Sequence, residues 1–358
     1  MAQSNDPNQK APGNQTLLVF NYAMDQSDPI FSHQFDAIVG LAEKFWKVVV
    51  ITQRQATFTV PFNVKVINLH WKTGRSFSNS MRFLALLIKV LIDNKPEIVF
   101  SHMTEKLSLI AAPLLKILRI PHFLWYAHAS TSLALRITSN FVDAILTSTA
   151  GSCPIKKSRV RLVGQAIDTS KFRGEVSQKN HVKNFIHVGR LDKSKNIDLL
   201  INKVLIDNPD NYLTLVGAPS NSEAEDYWGS IKTKYAHLLK SGKLIAYGPI
   251  QRSELPALLI NYDVFIHAFN GSLDKSILEA TACGLPVVTT NPEYLSIFGS
   301  WSDELGNYSL DLELYGFLNK HLSVRELELQ RRANLVRTDH SFNSWIEKVT
   351  LEITSNDF

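Results

Sequence analysis

The stretch from Val264 to Thr290 alternates between two kinds of apolar pattern. It opens with a short apolar run, Val264–Ile266, of the kind that forms a buried parallel strand. After a polar turn around Gly271, a helical pattern runs as far as Gly284, and a second strand begins at Val287. Two strands joined through a helix form a crossover, which places them in parallel in one sheet. The stretch therefore predicts an α/β protein.

The helix of this unit offers a phosphate site at its start and one acid along its length. The preceding turn leaves free backbone N–H groups at a helix N-terminus, and such groups attract anions. Glu279 is the one acid near the apolar face of the helix. Two interpretations stay open from this stretch alone: a phosphate-binding unit, or an ordinary crossover unit in which Glu279 is merely solvated.

The same alternation recurs along the rest of the chain. Thr16–Phe20 has a strand pattern, Phe35–Phe45 a helix pattern and Lys47–Thr52 a second strand pattern. This succession indicates the start of a doubly wound parallel sheet, in which ligands sit at the carboxyl ends of the strands. Further strands are predicted at Glu97–Ser101, Pro121–Tyr126, Val142–Thr147, Asn184–Val188, Tyr212–Val216 and Leu244–Tyr247, and further helices at Ser80–Asp93, Ser108–Leu118, Ser253–Leu259 and Ser344–Thr354.

Length and composition describe a soluble globular chain of two domains. The 358 residues are 45% hydrophobic and 20% charged, and no apolar run approaches the ~20 residues that span a bilayer. Residues 1–15 are polar, lack the apolar core of a signal peptide and are expected to form a disordered leader. Cys153 and Cys283 are too few for a disulfide framework or a zinc site, so a reducing cytoplasm is expected.

Charge is distributed unevenly along the chain. Residues 1–165 carry 18 Lys and Arg against 9 Asp and Glu, a balance of +9, whereas the remaining residues carry 20 against 24, a balance of −4. The basic half favours an anionic partner such as membrane headgroups, a lipid-linked phosphate or nucleic acid; alternatively, its lysines only keep the protein in solution. No visible module interleaves the basic residues with exposed aromatic residues, so nucleic-acid binding is disfavoured.

The helix Ser80–Asp93 can be interpreted in two ways. It combines a nearly continuous apolar body with Arg82 and Lys89, as a helix on a membrane surface does. A core helix whose cations extend along its apolar surface has the same composition, and we favour that second interpretation.

Several polar residues of the first half are predicted to lie where a doubly wound sheet binds its ligands. Asp25, Asp28, Ser32 and His33 belong to the loop after the first strand and face the ligand in this interpretation. Alternatively, Asp28 and Ser32 cap the helix that follows. His128 stands at the carboxyl end of another strand, where a structural and a functional role are equally open.

The turn after strand Asn184–Val188 contains two well-spaced cations. Arg190 and Lys195 are near enough in sequence, after Gly189, for the turn to bring both to one side. Arg offers a bidentate fork and Lys a point charge, which is the pair that a diphosphate requires. A solvated basic turn is the alternative.

Two segments of the second half resemble a known family. VGRLDKSKN, at residues 188–196, and LDKSILEATACGLPVVTT, at 273–290, resemble the second domain of the retaining glycosyltransferases of family 4. The connector GQAIDTSKF, at 164–172, is also similar to that family's connector, with Ala166 in place of a glycine. The resemblance covers nearly the whole chain from Thr16 and implies the GT-B fold, two Rossmann-like domains that face a cleft. It implies an acceptor domain at 16–165, a nucleotide-sugar-binding domain at 166–338 and a last helix within 339–358 that crosses back to the first domain.

The resemblance assigns roles to particular residues. Arg190 and Lys195 match the family's diphosphate-binding cations, and Glu279 matches the acid that holds the nucleotide ribose. The family's first acid, which grips the donor sugar, falls at Gly271 in this chain. The other implied positions are His128 beside the donor sugar, Asp274, Lys275 and Ser276 around the phosphates, Gly189 and Gly217 in the donor site, and Tyr247, Gly248, Pro249 and Ile250 against the base.

The resemblance implies a hexosyltransferase-type enzyme. It would move a sugar, with retention of configuration, from a nucleoside-diphosphate sugar to a glycan or lipid-linked acceptor in cell-envelope polysaccharide or glycolipid synthesis. Arg190, Lys195 and the helix dipole at Lys275 would take up the charge of the leaving diphosphate, so no metal or other cofactor is expected. The enzyme would be cytoplasmic, and peripheral contact with an anionic membrane at its inner face stays open.

Two other functions remain open. A sugar-nucleotide epimerase would need acid and base groups, which Asp25 and Asp28 could supply. A non-catalytic nucleotide-sugar binder or scaffold is supported by Gly271, which lacks the carboxylate of the family's first acid.

Overall fold

A computed structural model describes residues 13–26, 28, 31–56, 58–156, 159–174, 181–302 and 309–355. Contacts divide the chain into two compact units. Unit 1 comprises the described residues of 1–147, 153–163 and 346–358, and unit 2 those of 148–152 and 164–345. No helix of the described ranges is both long and apolar enough to cross a bilayer.

Unit 1 is built on a sheet of seven parallel strands in the order β3-β2-β1-β4-β5-β6-β7. From β1 the strands follow in one direction to β3, and from β4 they follow in the opposite direction to β7. This reversal of the strand order between β1 and β4 is characteristic of a doubly wound sheet. Its strands are β1 (Gly13–Met24), β2 (Phe45–Gln55), β3 (Val64–Asn68), β4 (Ile98–His102), β5 (His122–Trp125), β6 (Ala144–Thr147) and β7 (Val160–Leu162), and its helices are α1 (Ser32–Ala42), α2 (Ser76–Asn94), α3 (Glu105–Ile117) and α4 (Leu133–Thr138).

Helices α2 and α3 cover the same face of this sheet. Their apolar sides meet one set of strand side chains, which includes Leu18, Phe20 and Val99. Within α2 the buried residues, such as Phe83 and Leu87, recur every three or four positions, as expected for a helix with one face on a core. The prediction of a core helix in this segment is therefore confirmed, although the helix begins at Ser76 rather than Ser80.

Unit 2 contains five parallel strands in the order β10-β9-β8-β11-β12. Side chains alternate between two cores, since Phe185 and Ile266 face one cluster and Ile186 and Phe265 face the other. The strands are β8 (Asn184–Val188), β9 (Tyr212–Val216), β10 (Leu244–Gly248), β11 (Val264–His267) and β12 (Val287–Thr289). The helices are α5 (Ile197–Ile201, continued by a π-helical turn, Asn202–Ile206), α6 (Ser222–Lys234), α7 (Ala236–Lys240), α8 (Leu255–Leu259), α9 (Lys275–Ala282), α10 (Pro292–Phe298), α11 (Leu310–Asn319) and α12 (Leu322–Asp339). The last helix, α13 (Phe342–Thr354), begins in unit 2, and its residues from 346 belong to unit 1.

The unit that opened the sequence analysis folds as predicted. Strands β11 and β12 are neighbouring and parallel, and α9 connects them. The helix ends where Gly284 adopts a positive φ of 76°, and the N–H of Leu285 then returns to the carbonyl of Ala280. Glycine accepts that backbone conformation without steric cost, so the end of α9 is determined locally.

Other boundaries differ from the predictions. Strand β1 begins at Gly13, so residues 13–15 are part of the sheet rather than of a leader, and the rest of the predicted leader lies outside the described residues. Helix α1 spans Ser32–Ala42, because Phe45 at the end of the predicted helix already belongs to β2. Strand β3 and helices α4, α6, α7, α10, α11 and α12 were not predicted. Residues from 346 group with unit 1, where Arg161 and Glu352 form an ion pair of 3.5 Å.

Candidate functional site

Three glycines line the carboxyl edge of the unit 2 sheet. The N–H of Gly189 donates to the carbonyl of Val216 (3.0 Å), and the N–H of Gly217 donates to that of Gly248 (2.9 Å). Gly217 has φ 140°, and a Cβ atom there would lie 1.9 Å from the carbonyl oxygen of Gly189. Only glycine allows two backbones to approach in this way. The ends of β8, β9 and β10 are therefore joined backbone to backbone at this edge, where the three glycines are half-buried.

Lys195 is held at this edge by the turn that follows β8. The carboxylate of Asp192 accepts the N–H of Ser194 (3.1 Å) and fixes a short 3₁₀ turn. Asn196 takes a left-handed conformation (φ 52°) before α5 begins. The turn sends the Lys195 side chain into the protein, where only 5% of it is exposed, and its ammonium lies 3.7 Å from the centre of the Phe269 ring.

Asp274 is the anionic partner of Lys195. It occupies the N-cap position of α9, yet its side chain does not cap the helix. One carboxylate oxygen instead accepts from the Lys195 ammonium and from Nε2 of His267, the latter at 3.1 Å. Burial would raise the pKa of Asp274, but the His267 hydrogen bond and the charge of Lys195 outweigh it and hold the pKa well below its usual range. Asp274 is therefore a carboxylate at neutral pH.

A chain of hydrogen bonds orients His267. Its Nδ1 lies 2.9 Å from the hydroxyl of Thr289, which in turn accepts the N–H of Asn291 (3.0 Å). Burial lowers the pKa of His267, so the ring is neutral at neutral pH. A neutral ring that donates through Nε2 to Asp274 must accept through Nδ1, and the Thr289 hydroxyl supplies that proton. The chain links β11, β12 and the start of α9.

A second buried histidine lies next to the first. The rings of His187 and His267 stack, with centres 6.0 Å apart and an interplanar angle of 28°. His187 donates through Nδ1 to the carbonyl of Ile266 (3.0 Å), while its Nε2 meets no hydrogen-bonding atom of the described residues. Burial lowers the pKa of His187 to about 3. Sequence reasoning missed both histidines, although each is a polar residue inside an apolar strand.

Arg190 and Lys195 occupy different environments. The Arg190 guanidinium lies 3.3 Å from Asp192, and its side chain is more than half exposed. The sequence predicted that the turn would bring both cations to one side. The structure instead buries Lys195 and leaves Arg190 on the surface of the same turn. The predicted role of the two residues at a diphosphate stays a prediction.

Glu279 is buried in α9. The interpretation of this segment as an ordinary crossover unit with a solvated Glu279 is therefore wrong. Its carboxylate accepts from the guanidinium of Arg252. The guanidinium also lies 5.8 Å from the centre of the Phe172 ring. The sequence did not predict Arg252, since no local pattern links the loop before α8 to the middle of α9.

The loop between β11 and α9 has no room for a side chain at Gly271. A Cβ atom there would lie 2.1 Å from Cζ of Phe269. The Asn291 amide donates to the carbonyls of Phe269 (2.8 Å) and Gly271 (3.2 Å), which fixes the loop. The ring of Phe269 therefore fills the space next to the position where the resemblance places the family's first acid.

The remaining donor-side positions lie around the same edge. Lys275 and Ser276 form the half-buried first turn of α9, and Tyr247 is about half exposed at the end of β10. Ile250 packs against the core beneath α8 and α9. Within the described ranges, no group of three or more His, Cys, Asp and Glu side chains is arranged to hold a metal ion.

The predicted residues of unit 1 gather at the carboxyl ends of β1, β4 and β5. Asp28 accepts the N–H of Phe31 (2.9 Å) and pairs with Arg54 (2.8 Å). Neither Asp28 nor Ser32 caps α1, because Ser32 is its first residue and its N-cap, Phe31, makes no side-chain cap bond. The alternative interpretation is therefore wrong for Ser32, whereas Asp28 accepts an N–H directly before the helix rather than in its first turn.

Three histidines lie at this edge of unit 1. The ring of His33 lies edge-on to that of His102 at 5.9 Å, and His128 is exposed with its ring 6.3 Å from Tyr126. Asp25, in the same loop region, is half-buried. His102 ends the buried strand β4 and was not predicted, although a polar residue at a strand end is a recognisable signal.

Comparisons with known proteins give a family match and one relative in sequence. Residues 168–296 match the family described as glycosyl transferases group 1. An uncharacterized 41.2 kDa protein in the cps region of Klebsiella pneumoniae is 23% identical over 263 residues, which cover 63% of this chain and 70% of that protein.

Two solved structures show the same fold. HepE from Anabaena, in complex with UDP and glucose, has a TM-score of 0.72 at 14% identity and covers 96% of this chain and 100% of its own. The apo form of the lipopolysaccharide outer core galactosyltransferase WaaB has a TM-score of 0.69 at 13% identity and covers 94% and 99%. The two parallel-sheet units thus have the GT-B fold. The match to the glycosyl transferases group 1 family lies in the second unit and is compatible with the resemblance seen in the sequence.

Proposed function

We propose that this protein is a retaining glycosyltransferase. It moves a sugar from a nucleoside-diphosphate sugar to a glycan or lipid-linked acceptor. The observation that carries the proposal is the position of Lys195, a buried cation fixed beside the start of α9 at the carboxyl edge of the sheet. That edge is where a doubly wound sheet binds nucleotides, and it lies inside the segment that matches the glycosyltransferase family.

The chemistry of the proposal follows from charge. When the bond between the sugar and the diphosphate breaks, negative charge develops on the leaving oxygen. The ammonium of Lys195, the guanidinium of Arg190 and the positive end of α9 are groups that stabilise such charge without moving. In this proposal they perform the work of a metal ion, and the acceptor attacks from the face that the diphosphate leaves. His128 acts beside the donor sugar, and Glu279 holds the ribose.

UDP is the nucleotide that we propose first. The Anabaena protein of the same fold was solved with UDP and with UDP-glucose, and WaaB is named as a galactosyltransferase. The relative in the cps region and the lipopolysaccharide enzyme support an acceptor in cell-envelope polysaccharide synthesis. A lipid-linked acceptor would bring the protein to the inner face of a membrane.

A non-catalytic nucleotide-sugar binder is the second candidate. Two of the residues that the resemblance assigns to the nucleotide already have partners in the chain, Lys195 with Asp274 and Glu279 with Arg252. Gly271 offers no carboxylate to a sugar. A protein that had kept the fold and lost the reaction would show these features.

Thermal unfolding with a panel of nucleoside diphosphates and their sugars tests the proposal. A ligand of the folded state raises the melting temperature by mass action. We expect UDP and one UDP-sugar to raise it, and Arg190→Ala to lose that rise. Lys193→Ala is the matched control, because Lys193 is an exposed cation of the same turn. A rise that Lys193→Ala also abolishes would point to unspecific charge attraction, and no rise with any nucleotide would overturn the proposal.

A transfer assay separates the two candidates. Release of UDP from the UDP-sugar in the presence of a glycan or lipid-linked acceptor, with the anomeric configuration of the product read by nuclear magnetic resonance, is the expected result. Binding without release would favour the non-catalytic binder. An inverted product would contradict the retaining mechanism while leaving the transferase assignment in place.

A further inference from the structure

Helix α2 carries a second apolar stripe on its outer side. Opposite the buried face, the apolar residues Phe77, Met81, Ala85, Ile88 and Ile92 recur every three or four positions and thus lie along one line of the helix. Phe77 is 80% exposed, Ile92 68%, Met81 52% and Ile88 44%. We call these five residues the α2 stripe. Exposed apolar residues are ordinary when scattered, but a continuous row over the length of a helix marks a contact surface.

Cations border the α2 stripe. Arg82 and Lys89 are both exposed, and at 100° per residue they lie on one flank of the apolar row. Arg75 precedes the helix and Lys95 follows it, and both are exposed. Asp93 is the one acid of the helix.

This arrangement fits one kind of partner. An interfacial helix lies with its apolar face below the headgroups while cations beside that face meet anionic lipids. We propose that the α2 stripe docks unit 1 on an anionic lipid bilayer. The excess of positive charge in residues 1–165, +9, acts in the same direction because it attracts the whole unit to an anionic surface.

The proposal extends the one for function, because a lipid-linked acceptor is presented at such a surface. The proposed function explains why docking on a membrane would be useful. The docking itself is argued from the surface of α2 and does not require that function. Helix α2 can pack on the sheet and contact a bilayer at the same time, since Phe83 and Leu87 keep it on the sheet while the α2 stripe faces outward. The core interpretation of this segment and the membrane-surface interpretation thus apply to opposite faces of one helix.

Flotation of the full chain with lipid vesicles tests the docking. One set of vesicles contains phosphatidylcholine alone, and the other contains equal parts of phosphatidylcholine and phosphatidylglycerol. We expect the protein to float with the second set and to be released by high salt, which screens the cations. Phe77→Glu and Ile92→Glu are each expected to weaken partitioning at least about tenfold, because each removes a large apolar side chain from the contact and adds a repelled charge.

Leu327→Glu is the matched control. Leu327 is 70% exposed on α12 of unit 2, nearly the same exposure as Ile92, and its substitution makes the same change of size and charge. The control is expected to float as the unchanged protein does. Equal loss in the control, equal flotation with both sets of vesicles, or no flotation would each overturn the proposal. A different outcome is that the unchanged protein does not bind vesicles and elutes as a dimer, while Ile92→Glu elutes as a monomer. That outcome would show that the α2 stripe contacts a second copy of the chain instead.

The same variants distinguish this proposal from the one for function. The rise of the melting temperature with UDP is expected to be unchanged in Phe77→Glu and Ile92→Glu. If the unchanged protein floats but shows no rise with UDP, the docking stands and the proposed function fails. If it shows the rise but never floats, the docking alone is overturned.

Discussion

Asp274 stands at the N-cap of α9 and turns its carboxylate away from the helix to the buried ammonium of Lys195. An N-cap aspartate ordinarily accepts an N–H group of its own first turn. Here that carboxylate joins Lys195 to His267, and through Thr289 to the next strand. The pair stabilises the position of the cation, but it also places a negative charge at the edge where the proposed diphosphate would bind.

Removal of that charge is expected to strengthen nucleotide binding. In Asp274→Asn the side chain keeps its shape and an acceptor oxygen, while the repulsion between carboxylate and diphosphate disappears. Two charges 4 Å apart interact by about 4 kcal/mol near a protein surface, so even a partly screened effect exceeds a tenfold change in Kd. Titration calorimetry with UDP is the measurement.

Asp192→Asn is the control for this variant. The partner of Asp192, Arg190, is 56% exposed, whereas the partner of Asp274, Lys195, is 5% exposed, so a smaller change in Kd is expected for Asp192→Asn. Weaker UDP binding in Asp274→Asn would contradict the expectation and would show that the carboxylate serves chiefly to position Lys195.

His187 is expected to make the stability of the protein sensitive to acid. Burial lowers its pKa from 6.5 to about 3, so the folded state keeps the ring neutral where the unfolded chain has already bound a proton. Between these values the unfolded state binds more protons, and the free energy of unfolding therefore falls as the pH falls. One such group contributes a slope of about 1.4 kcal/mol per pH unit.

Urea unfolding of His187→Gln over the same pH range measures this contribution. Glutamine donates to the Ile266 carbonyl from a similar position but does not titrate, so the slope is expected to become shallower. His237→Gln, at an exposed position on α7, should leave the slope unchanged. An identical slope in His187→Gln and the unchanged protein would show that other groups dominate the acid response.

Gly217→Ala is expected to be strongly destabilising. The added Cβ atom would lie 1.9 Å from the carbonyl oxygen of Gly189, and φ 140° is unfavourable for alanine. Both effects act on the end of β9, so a loss of at least about 3 kcal/mol in the free energy of unfolding is expected. Gly229→Ala, inside α6 with open space around it, should instead add about 0.5–1 kcal/mol. Similar values for the two variants in urea unfolding would contradict the close approach of β8 and β9.

Arg252→Met is expected to lower the free energy of unfolding. The variant leaves the Glu279 carboxylate without its cation, and breaking a pair of this kind costs about 3 kcal/mol. Adding Glu279→Gln removes the unpaired charge and should recover most of the loss. For comparison, Lys234→Met breaks the exposed pair with Asp198 and should cost much less, because solvent screens that pair. No recovery in the double variant would mean that Arg252 stabilises the fold through packing on Phe172 instead.

Much of the framework could be predicted because it depends on local patterns. Short apolar runs such as Val264–Ile266 lie in strands because a parallel sheet buries them on both faces. The end of α9 at Gly284 follows from glycine's tolerance of positive φ. Helix α2 was predicted as a core helix, but its start was set four residues late. Phe77, the first residue of the α2 stripe, was thereby left out of the helix.

The candidate site was predicted only as far as its residues are neighbours in sequence. Arg190 and Lys195 share a turn, but nothing local indicates that Lys195 is buried and Arg190 is exposed. Asp274, Arg252 and the two histidines meet their partners across strands and loops. A hydrogen bond between such residues depends on which strands are neighbours, and strand order is decided by the packing of the whole unit.

By itself, the amino-acid sequence determined the class of the fold, the succession of strands and helices and the segment with the glycosyltransferase resemblance, since apolar periodicity and short motifs act over a few residues. Only the tertiary structure decided the ionic network of Lys195, Asp274 and His267, the Arg252–Glu279 pair and the outward direction of the α2 stripe. These features depend on burial and on distances between residues far apart in the chain. No local pattern encodes either quantity.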